Sequence, residues 1–306
     1  MVTNIDGLDH RFLREFLAVA QEGSIRRAAE TLSIVPSAIS RKLAEAEGRL
    51  GVRLFDRTTI GMQLTDAGRI LLDHANHIRE EQDYVLDLLG QYRNETRRVV
   101  RLGVGEGFSA DLMQNGLSHL MAHYPGFSYD IRMAGTDQLL RMVADGQVDI
   151  SLAYNPILVA GTRSLAIGRQ ALCAIVPPDS PLAEKGEVTL GETLDQPMAI
   201  LNPAHGIRQL LARAAADQGS ALRPIVETDS VLMLIRFVTA GLGITFLPPF
   251  AATIQAARGE VVILPVTDPL LHNASAHAIV RARRRLPRSV NAVATVLAGR
   301  MVAFQG

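Results

Sequence analysis

The stretch SIRRAAETLSIVPSAISRKLAEAEGRLGVRLFDRTTIGMQLTDAG, residues 24–68, decides the fold of the N-terminal part of the chain. Ser24 can cap a short helix over Ile25–Leu32, because its side-chain oxygen accepts a hydrogen bond from a free backbone N–H. Pro36 can begin a second helix after a short connection, since the first turn of a helix does not need its missing N–H. This second helix is expected to run to about Leu50. The stretch therefore predicts a helix-turn-helix.

The second helix is predicted to bury one face and to expose a small, polar one. Residues at spacings of three and four share a helix face, so an apolar stripe at these spacings faces the core. The stripe comprises Ile39, Leu43, Ala46 and Leu50. The opposite face comprises Ser37, Arg41, Ala44 and Gly48, flanked by Ser40 and Glu45. Such a face can enter the major groove of B-DNA, although a solvated helix surface shows the same pattern.

The segment that follows predicts a wing. Residues 58–65 can form two short strands around a turn, and Thr65 can cap a further helix. A helix-turn-helix followed by such a hairpin is a winged helix. The hairpin therefore favours DNA binding over a merely solvated helix surface.

Motifs along this part of the chain resemble the N-terminal signature of LysR-type transcriptional regulators. They are FLAVA at 16–20, GS at 23–24, RAA at 27–29, PSAISR at 36–41, LGVRLF at 50–55, RT at 57–58 and LTDAG at 64–68. The resemblance implies a winged helix-turn-helix DNA-binding domain over residues 1–65. The expected DNA contacts are Ser24, Arg26, Arg27, Pro36, Ser37, Ser40, Arg41, Lys42, Arg53 and Arg57. Pro36 stands where many members carry a glutamine, which removes one candidate base-reading side chain, and Ile60 stands where many carry a wing arginine.

The charge of the chain gives DNA binding no general support. The 306 residues carry 31 Lys and Arg and 31 Asp and Glu, so the formal net charge is zero. Residues 1–65 carry nine cations and eight anions, a net charge of +1. Attraction to phosphates must therefore come from the placement of particular cations, and we expect modest affinity for non-specific DNA.

Length and composition indicate a folded protein of about two domains. Asp6, Asp9 and His10 precede any apolar run, and no apolar stretch approaches the length of a membrane span, so neither a secretory signal nor membrane association is expected. The expected compartment is the cytoplasm. The single cysteine, Cys173, excludes an internal disulfide. It lies in the apolar run ALCAIV at 171–176, which favours a buried, inert thiol over a redox sensor.

A long helix is predicted over Asp66–Tyr92, because no proline or glycine interrupts the segment after Gly68. At 1.5 Å per residue it would extend about 35–40 Å. Its apolar positions alternate spacings of four and three, as in a coiled-coil seam: Leu71, Ala75, Ile78, Gln82, Val85 and Leu89. The same helix of a second chain can cover this seam, with Gln82 fixing the register, and packing against its own domain is the alternative. We expect a homodimer, and the family resemblance adds a tetramer.

Strands and helices alternate in the rest of the chain, which predicts two α/β lobes. The first unit is predicted to have strands at 99–104, 129–134 and 150–154 and helices at 109–123 and 136–145. The second is predicted to have strands at 171–176, 198–201, 225–228 and 244–247 and helices at 207–218, 231–240 and 250–257. A strand at 276–280 and a helix at 288–303 are expected to return to the first lobe.

The motifs YPG at 124–126, GQVDI at 146–150 and AGLGI at 240–244 resemble the effector domain of the same family, which is similar to periplasmic solute-binding proteins. The predicted fold is thus α+β and multidomain: a winged helix-turn-helix at 1–65, a linker and dimerisation helix at 66–92 and an effector-binding domain at 93–306. Its lobe I spans about 93–158 and 267–306, and its lobe II about 159–266.

Several of these predicted strands lead into helices whose first turns are small, polar or glycine-rich. Helix N-termini expose free N–H groups, and in open parallel sheets they gather at the edge where ligands bind. We therefore expect a cleft between the lobes that holds a small anionic effector, such as a carboxylate. The expected contacts are Glu106, Phe108, Ser109, Gly135, Thr136, Tyr154, Asn155, His205, Thr228, Asp229 and Phe246. For each Ser or Thr taken alone, a plain helix cap is the simpler interpretation.

Other kinds of site have weaker support. The run GVGEGF at 103–108 does not fit a dinucleotide fingerprint, because Phe108 occupies a position that needs a small residue. His119 and His123 lie one helical turn apart without a third ligand, so no metal, cofactor or catalytic group is expected. The sequence and the resemblance together predict a ligand-responsive regulator of transcription whose partners are operator DNA, a small molecule, its own copies and RNA polymerase. An enzyme or a solute-binding module that uses the same cleft is the alternative.

Overall fold

A computed structural model describes residues 8–59, 61–89, 98–282 and 286–305. The chain divides into two compact units, Met1–Tyr92 and Arg93–Gly306. Ile60, where the family pattern has a wing arginine, and residues 90–92 of the predicted long helix lie outside the described residues.

The first unit is a winged helix-turn-helix followed by a long helix, as predicted. Its elements are α1 (His10–Glu22), α2 (Ile25–Leu32), α3 (Pro36–Leu50), β1 (Phe55–Thr58), β2 (Gly61–Leu64) and α4 (Asp66–Leu89). Strands β1 and β2 pair antiparallel and form the wing. Ser24 caps α2, since its Oγ accepts from the N–H of Arg27 at 3.4 Å. Gly51 ends α3 in a left-handed conformation with φ 70°.

The start of α4 is fixed against the segment that leads into the wing. The hydroxyl of Thr65 donates to the carbonyl of Arg53 at 2.7 Å and accepts from the N–H of Gly68 at 3.0 Å. A Cβ on Gly68 would lie 2.1 Å from the carbonyl oxygen of Leu54, so only glycine fits there. The LTDAG motif at 64–68 therefore joins the wing to α4.

The first half of α4 packs into the core of its own unit. Leu71, Leu72 and Ala75 are buried with side chains of α1, and Ile78 packs against the same cluster. The side chain of Gln82 hydrogen-bonds to the ring of His10 at 2.8 Å. The prediction that a second chain covers the whole seam is therefore wrong for its first half, because a spacing of four and three does not show which surface covers a helix. The later seam positions Val85 and Leu89 are exposed.

The second unit contains ten strands and nine α-helices within its described residues. The strands are β3 (Arg98–Val104), β4 (Phe127–Met133), β5 (Ile150–Tyr154), β6 (Thr162–Arg169), β7 (Cys173–Val176), β8 (Ala199–Leu201), β9 (Val226–Thr228), β10 (Thr245–Leu247), β11 (Val262–Pro265) and β12 (Ser275–Arg281). The helices are α5 (Ser109–Asp111), α6 (Ser118–His123), α7 (Thr136–Ala144), α8 (Leu190–Leu194), α9 (Gly206–Asp217), α10 (Val231–Thr239), α11 (Thr253–Ala257), α12 (Pro269–His272) and α13 (Arg288–Arg300). A π-helical segment, Leu112–Leu117, joins α5 to α6.

The first lobe is built on a five-stranded sheet in the order β4-β3-β5-β12-β6. Strands β4, β3 and β5 are parallel, which confirms the predicted strand and helix alternation. Strand β12 lies antiparallel between β5 and β6, so the C-terminal strand returns to the first lobe as predicted. The carboxyl ends of β3 and β5 lead into Gly105 and Asn155 at one edge of this sheet.

Strand β6 corrects the predicted beginning of lobe II at about residue 159. It pairs with β12 over Thr162–Arg169, so the chain stays in the first sheet until Arg169. The sequence TRSLAIGR has no continuous apolar run, because β6 is an edge strand whose residues are mostly half-buried or exposed. Lobe I therefore extends beyond its predicted end at about residue 158, and residues 156–161 precede β6 within the first lobe.

The second lobe has a mixed sheet. Strands β10 and β11 flank β7 antiparallel, and β8 and β9 form a parallel pair that a bridge from Met198 to Ile244 joins to β10. Strand β11 was not predicted, because it ends at Pro265 and a proline argues against a strand. The strand forms because it lies at the edge of its sheet, where the missing N–H of the proline is tolerated. The two connections between lobes run side by side: the N–H of Gln170 donates to Ala274 and that of Leu172 to Leu271, both at 2.9 Å.

Candidate functional site

The exposed face of α3 is the candidate DNA-binding surface of the first unit. Ser37, Arg41, Ala44 and Gly48 are exposed and Ser40 is half-buried, while Ile39 is fully buried on the opposite face. The carboxylate of Glu47 accepts from the N–H groups of Leu54 and Phe55 at 2.7 and 3.2 Å, which holds the end of α3 against β1. The exposed face of α3 therefore carries one long cation, Arg41, among small side chains that would let the helix enter a groove.

The other predicted cations differ in how free they are to reach a phosphate. Arg26 pairs with Glu30 on the solvent side of α2, and Arg27 donates to the carbonyl of Glu22 at 2.7 Å. Arg53 and Arg57 are exposed on the segment before β1 and on β1 itself, and Pro36 is exposed at the start of α3. Val35, which is next to Pro36 and was not among the predicted DNA contacts, is 63% exposed.

Lys42 forms an ion pair inside the first unit. Its Nζ lies 2.9 Å from Oε1 of Glu15, a carboxylate that is only 2% exposed and that Arg11 also approaches at 3.3 Å. A buried carboxylate without a cationic partner is costly, so this ion pair holds α3 against α1. Lys42 therefore stabilises the contact between α1 and α3, and its contact with DNA stays a prediction.

In the second unit, the two lobes face each other across a cleft in which Glu106 bridges the gap. Glu106 follows β3 in the first lobe, and its carboxylate reaches the N-terminus of α10 in the second. Oε1 accepts from the hydroxyl of Ser230 at 2.9 Å, and Oε2 accepts from the N–H of Val231 at 2.5 Å. A carboxylate is stabilised at a helix N-terminus because it meets free N–H groups and the positive end of the helix dipole.

A second bridge joins α7 of the first lobe to α9 of the second. The hydroxyl of Thr136 accepts from the N–H of Gly206 at 2.9 Å, and both residues are buried. A Cβ on Gly206 would lie 2.2 Å from the carbonyl oxygen of Tyr154, and one on Gly135 would lie 2.8 Å from that of Ala204. The lobes are therefore in backbone contact beside this hydrogen bond.

Five predicted effector contacts line the space that remains, which opens to solvent: Glu106, Phe108, Thr136, Tyr154 and His205. Nine further lining residues were not among the predicted effector contacts: Gly105, Gly107, Ala134, Leu201, Gly206, Ile207, Val231, Pro248 and Phe250. Most of them are apolar or glycine residues at the ends of strands and the starts of helices, and nothing in the residues themselves marks them as binding residues.

The structure places the other six predicted contacts around this space rather than in its lining. Ser109 begins α5, and Gly135 precedes α7 at the lobe contact. Asn155 has a positive φ of 46°, and its N–H donates to the carbonyl of Ser275. Thr228 accepts from the N–H of Ser230.

Asp229 and Phe246 are the remaining two. Asp229 lies 3.7 Å from Nε2 of His205 and also pairs with Asn202. It therefore contacts the lining imidazole without lining the space itself. Phe246 lies in the core, and Phe250 takes the position in the wall that Phe246 was expected to have.

Three aromatic rings form one wall of the cleft. The ring centroids of Phe108 and Phe250 are 4.8 Å apart, and those of Tyr154 and Phe250 are 6.4 Å apart. The hydroxyl of Tyr154 donates to the carbonyl of Gln170 at 2.6 Å, and burial raises the pKa of this phenol. Tyr154 therefore offers its ring to the wall while its hydroxyl is held by the backbone.

The His, Cys, Asp and Glu side chains of the described ranges do not gather into a metal site. No cluster of three or more His, Cys, Asp or Glu side chains there could hold a metal ion. His119 and His123 stack on each other with centroids 3.9 Å apart on an exposed helix face. Burial raises the pKa of the Cys173 thiol to about 11, so the thiol form dominates at neutral pH. None of the helices described is both long and apolar enough to cross a membrane.

Two family models match the chain. The model for the bacterial regulatory helix-turn-helix protein of the lysR family matches residues 10–69, and the LysR substrate binding domain matches residues 93–302. The HTH-type transcriptional regulator YofA of Bacillus subtilis is 31% identical over 257 residues, which cover 82% of this chain and 85% of the relative.

A second relative and a solved structure match over similar lengths. A protein of Mycobacterium avium named a probable hydrogen peroxide-inducible genes activator is 28% identical, covering 84% of this chain and 83% of the relative. The structure of a full-length OxyR variant from Pseudomonas aeruginosa is similar with a TM-score of 0.77 and 21% identity, covering 97% of this chain and 96% of that one. This structural similarity supports the fold.

Proposed function

The chain belongs to the LysR family of bacterial transcriptional regulators, and from this premise we propose that it binds operator DNA through α3 as a homo-oligomer and responds to a small molecule in the cleft. The observation that carries the DNA-binding part is the exposed, small and polar face of α3, from which the Arg41 guanidinium projects. The major groove admits a helix of this kind, and an arginine near its N-terminus can reach base edges or phosphates. As a DNA-binding regulator it would act in the cytoplasm, with RNA polymerase as a further partner.

The sensing part rests on the two bridges across the cleft. Ligand control requires a ligand that prefers one of two arrangements of the molecule. The bonds from Glu106 to α10 and from Thr136 to Gly206 are made between lobes, so opening the cleft breaks both at once. A ligand that competes with or reinforces these bonds changes the balance between the two arrangements.

Self-association is proposed through the end of α4. Val85, Leu86 and Leu89 are 44%, 62% and 57% exposed, and they continue the stripe whose first half is buried in the core. A second copy of α4 would cover these side chains. Two reading heads would then recognise paired half-sites, which a single weakly charged head would bind only marginally.

We propose that a bound ligand, not thiol oxidation, is the signal. The Mycobacterium avium relative is named for hydrogen peroxide, but a peroxide-sensing cysteine needs an accessible thiolate and a partner thiol. This chain has one cysteine, and Cys173 is 4% exposed with a raised pKa. We also propose that the cleft has no catalytic role.

The test of the DNA-binding part is fluorescence anisotropy with duplexes from the region next to the protein's own gene. Arg41→Ala is expected to weaken binding to a specific duplex about 5- to 150-fold, the range for one lost base contact of about 1–3 kcal/mol. Arg213→Ala removes the same charge from an exposed position of α9 and is the control. Equal affinities of the two variants, with unchanged circular dichroism, would remove Arg41 from the contact surface.

A further inference from the structure

The charges around the cleft are predominantly negative. The carboxylate of Glu106 lines it, and Asp229 lies 3.7 Å from the lining imidazole of His205. Asp137 lies in the first turn of α7, where it accepts from the side chain of Gln209 on α9 at 3.1 Å. No lysine or arginine is among the lining residues that the structure describes. The only fixed charge among the lining side chains that the structure describes is therefore the Glu106 carboxylate, while Asp137 and Asp229 are exposed nearby.

Two of the helix N-termini that were expected to hold an anion already have partners from the chain. The N-terminus of α10 meets the Glu106 carboxylate, and that of α9 meets the Thr136 hydroxyl. A ligand carboxylate at α10 would have to displace Glu106 from both of its hydrogen bonds. The protein thus supplies from its own chain the anion that the helix dipole favours.

The same residues form a site for a cation with an apolar body. The Glu106 carboxylate accepts one hydrogen bond on each oxygen, and a carboxylate has about four acceptor positions, so it can accept more. Phe108 and Phe250 line the same space, with 2% and 1% of their surface exposed. Aromatic walls next to a carboxylate stabilise an organic ammonium group and bury its hydrocarbon part.

We propose that the ligand of this cleft is a small organic cation, an ammonium group on an apolar or aromatic body, held by Glu106 and the aromatic wall. This rests on the proposed function only in taking the cleft as the sensor site. It replaces the expectation of a carboxylate effector. The ammonium group pairs with the first-lobe carboxylate at the point where that carboxylate holds α10, so binding acts directly on the bridge between lobes.

The experiment is isothermal titration calorimetry on the full-length protein with three probes of similar shape: 2-phenylethylammonium, 2-phenylethanol and 3-phenylpropanoate. The ammonium probe is expected to bind most tightly and the carboxylate probe not to bind. Glu106→Gln is expected to weaken the ammonium probe about tenfold or more, as loss of a charge partner inside a site does. The amide oxygen of Gln can still accept from Val231, so the lobes stay joined in this variant.

Glu184→Gln is the matched control, because Glu184 is an exposed carboxylate away from the cleft. The proposal is overturned if the carboxylate probe binds as well as the ammonium probe, if none of the three binds, or if Glu106→Gln and Glu184→Gln bind the ammonium probe equally. Anisotropy with the operator duplex, with and without the ammonium probe, is measured in parallel. Ammonium binding without any effect on DNA would refute the proposed sensing function and leave the ligand class standing.

Discussion

Replacing Thr136 with valine isolates the second bridge between the lobes. Valine keeps the shape of the side chain and removes the oxygen that accepts from the N–H of Gly206. This N–H is buried, and valine offers no acceptor in place of the Thr136 oxygen. A buried donor left without a partner costs about 1–3 kcal/mol. The closed arrangement should therefore lose about 5- to 150-fold in population relative to the open one.

Hydrogen exchange measured by mass spectrometry on peptides that contain Gly206 is the direct assay. Thr136→Val is expected to accelerate exchange of the Gly206 amide by the same factor, because opening exposes it. Thr136→Ser keeps the hydroxyl and is the control. Because operator affinity is proposed to depend on the two arrangements, the valine variant should change it even without ligand, while the serine variant should not. The response to a cleft ligand should also change in the valine variant. Equal exchange of Gly206 in the two variants would refute the role of this hydrogen bond in closing the cleft.

Two further outcomes concern Lys42 and Cys173. Lys42→Ala should lower the free energy of unfolding of the first unit by about 1–3 kcal/mol, because it leaves the 2%-exposed carboxylate of Glu15 with Arg11 alone. The control Arg53→Ala should change this free energy little. Urea denaturation followed by circular dichroism measures both, and operator affinity of Lys42→Ala below the denaturation midpoint should fall only if Lys42 also contacts DNA. Cys173 should react with iodoacetamide at pH 8 at least 100-fold more slowly in the folded protein than in 6 M guanidinium, because a pKa of about 11 leaves roughly one thiolate in a thousand. Mass spectrometry follows the alkylation, and rapid labelling of the folded protein would contradict both the burial and the exclusion of a thiol sensor.

Local signals made most of the first unit predictable. Ser24 and Pro36 act within one helical turn of their positions, so their roles can be inferred without knowing the rest of the fold. The extent of α4 was predictable for the same reason, but its packing partner was not. The spacing of Leu71 and Ala75 is the same whether the covering surface is α1 or a second chain.

The cleft was harder to predict because its contacts join distant parts of the sequence. Glu106 and Val231 are 125 positions apart, and nothing near either one indicates the other. Glu106 was predicted at the correct edge of the sheet, but the free N–H groups of α10 were expected to bind a ligand. Phe246 and Phe250 both follow an apolar run, and only the turn at Pro249–Ala251 shows which ring faces the cleft.

Leu71, Leu72 and Ala75 are buried in the core of their own DNA-binding unit, here called the head, and this determines how the regulator responds to its own concentration. The head keeps its hydrophobic core when two copies separate, so dilution yields intact single heads and not unfolded chains. In a dimer formed as proposed, separation would expose Val85, Leu86 and Leu89 in the described part of α4 to water. Occupancy of a paired operator would then rise steeply with the cellular concentration of the protein, which makes its expression level a second input beside the ligand.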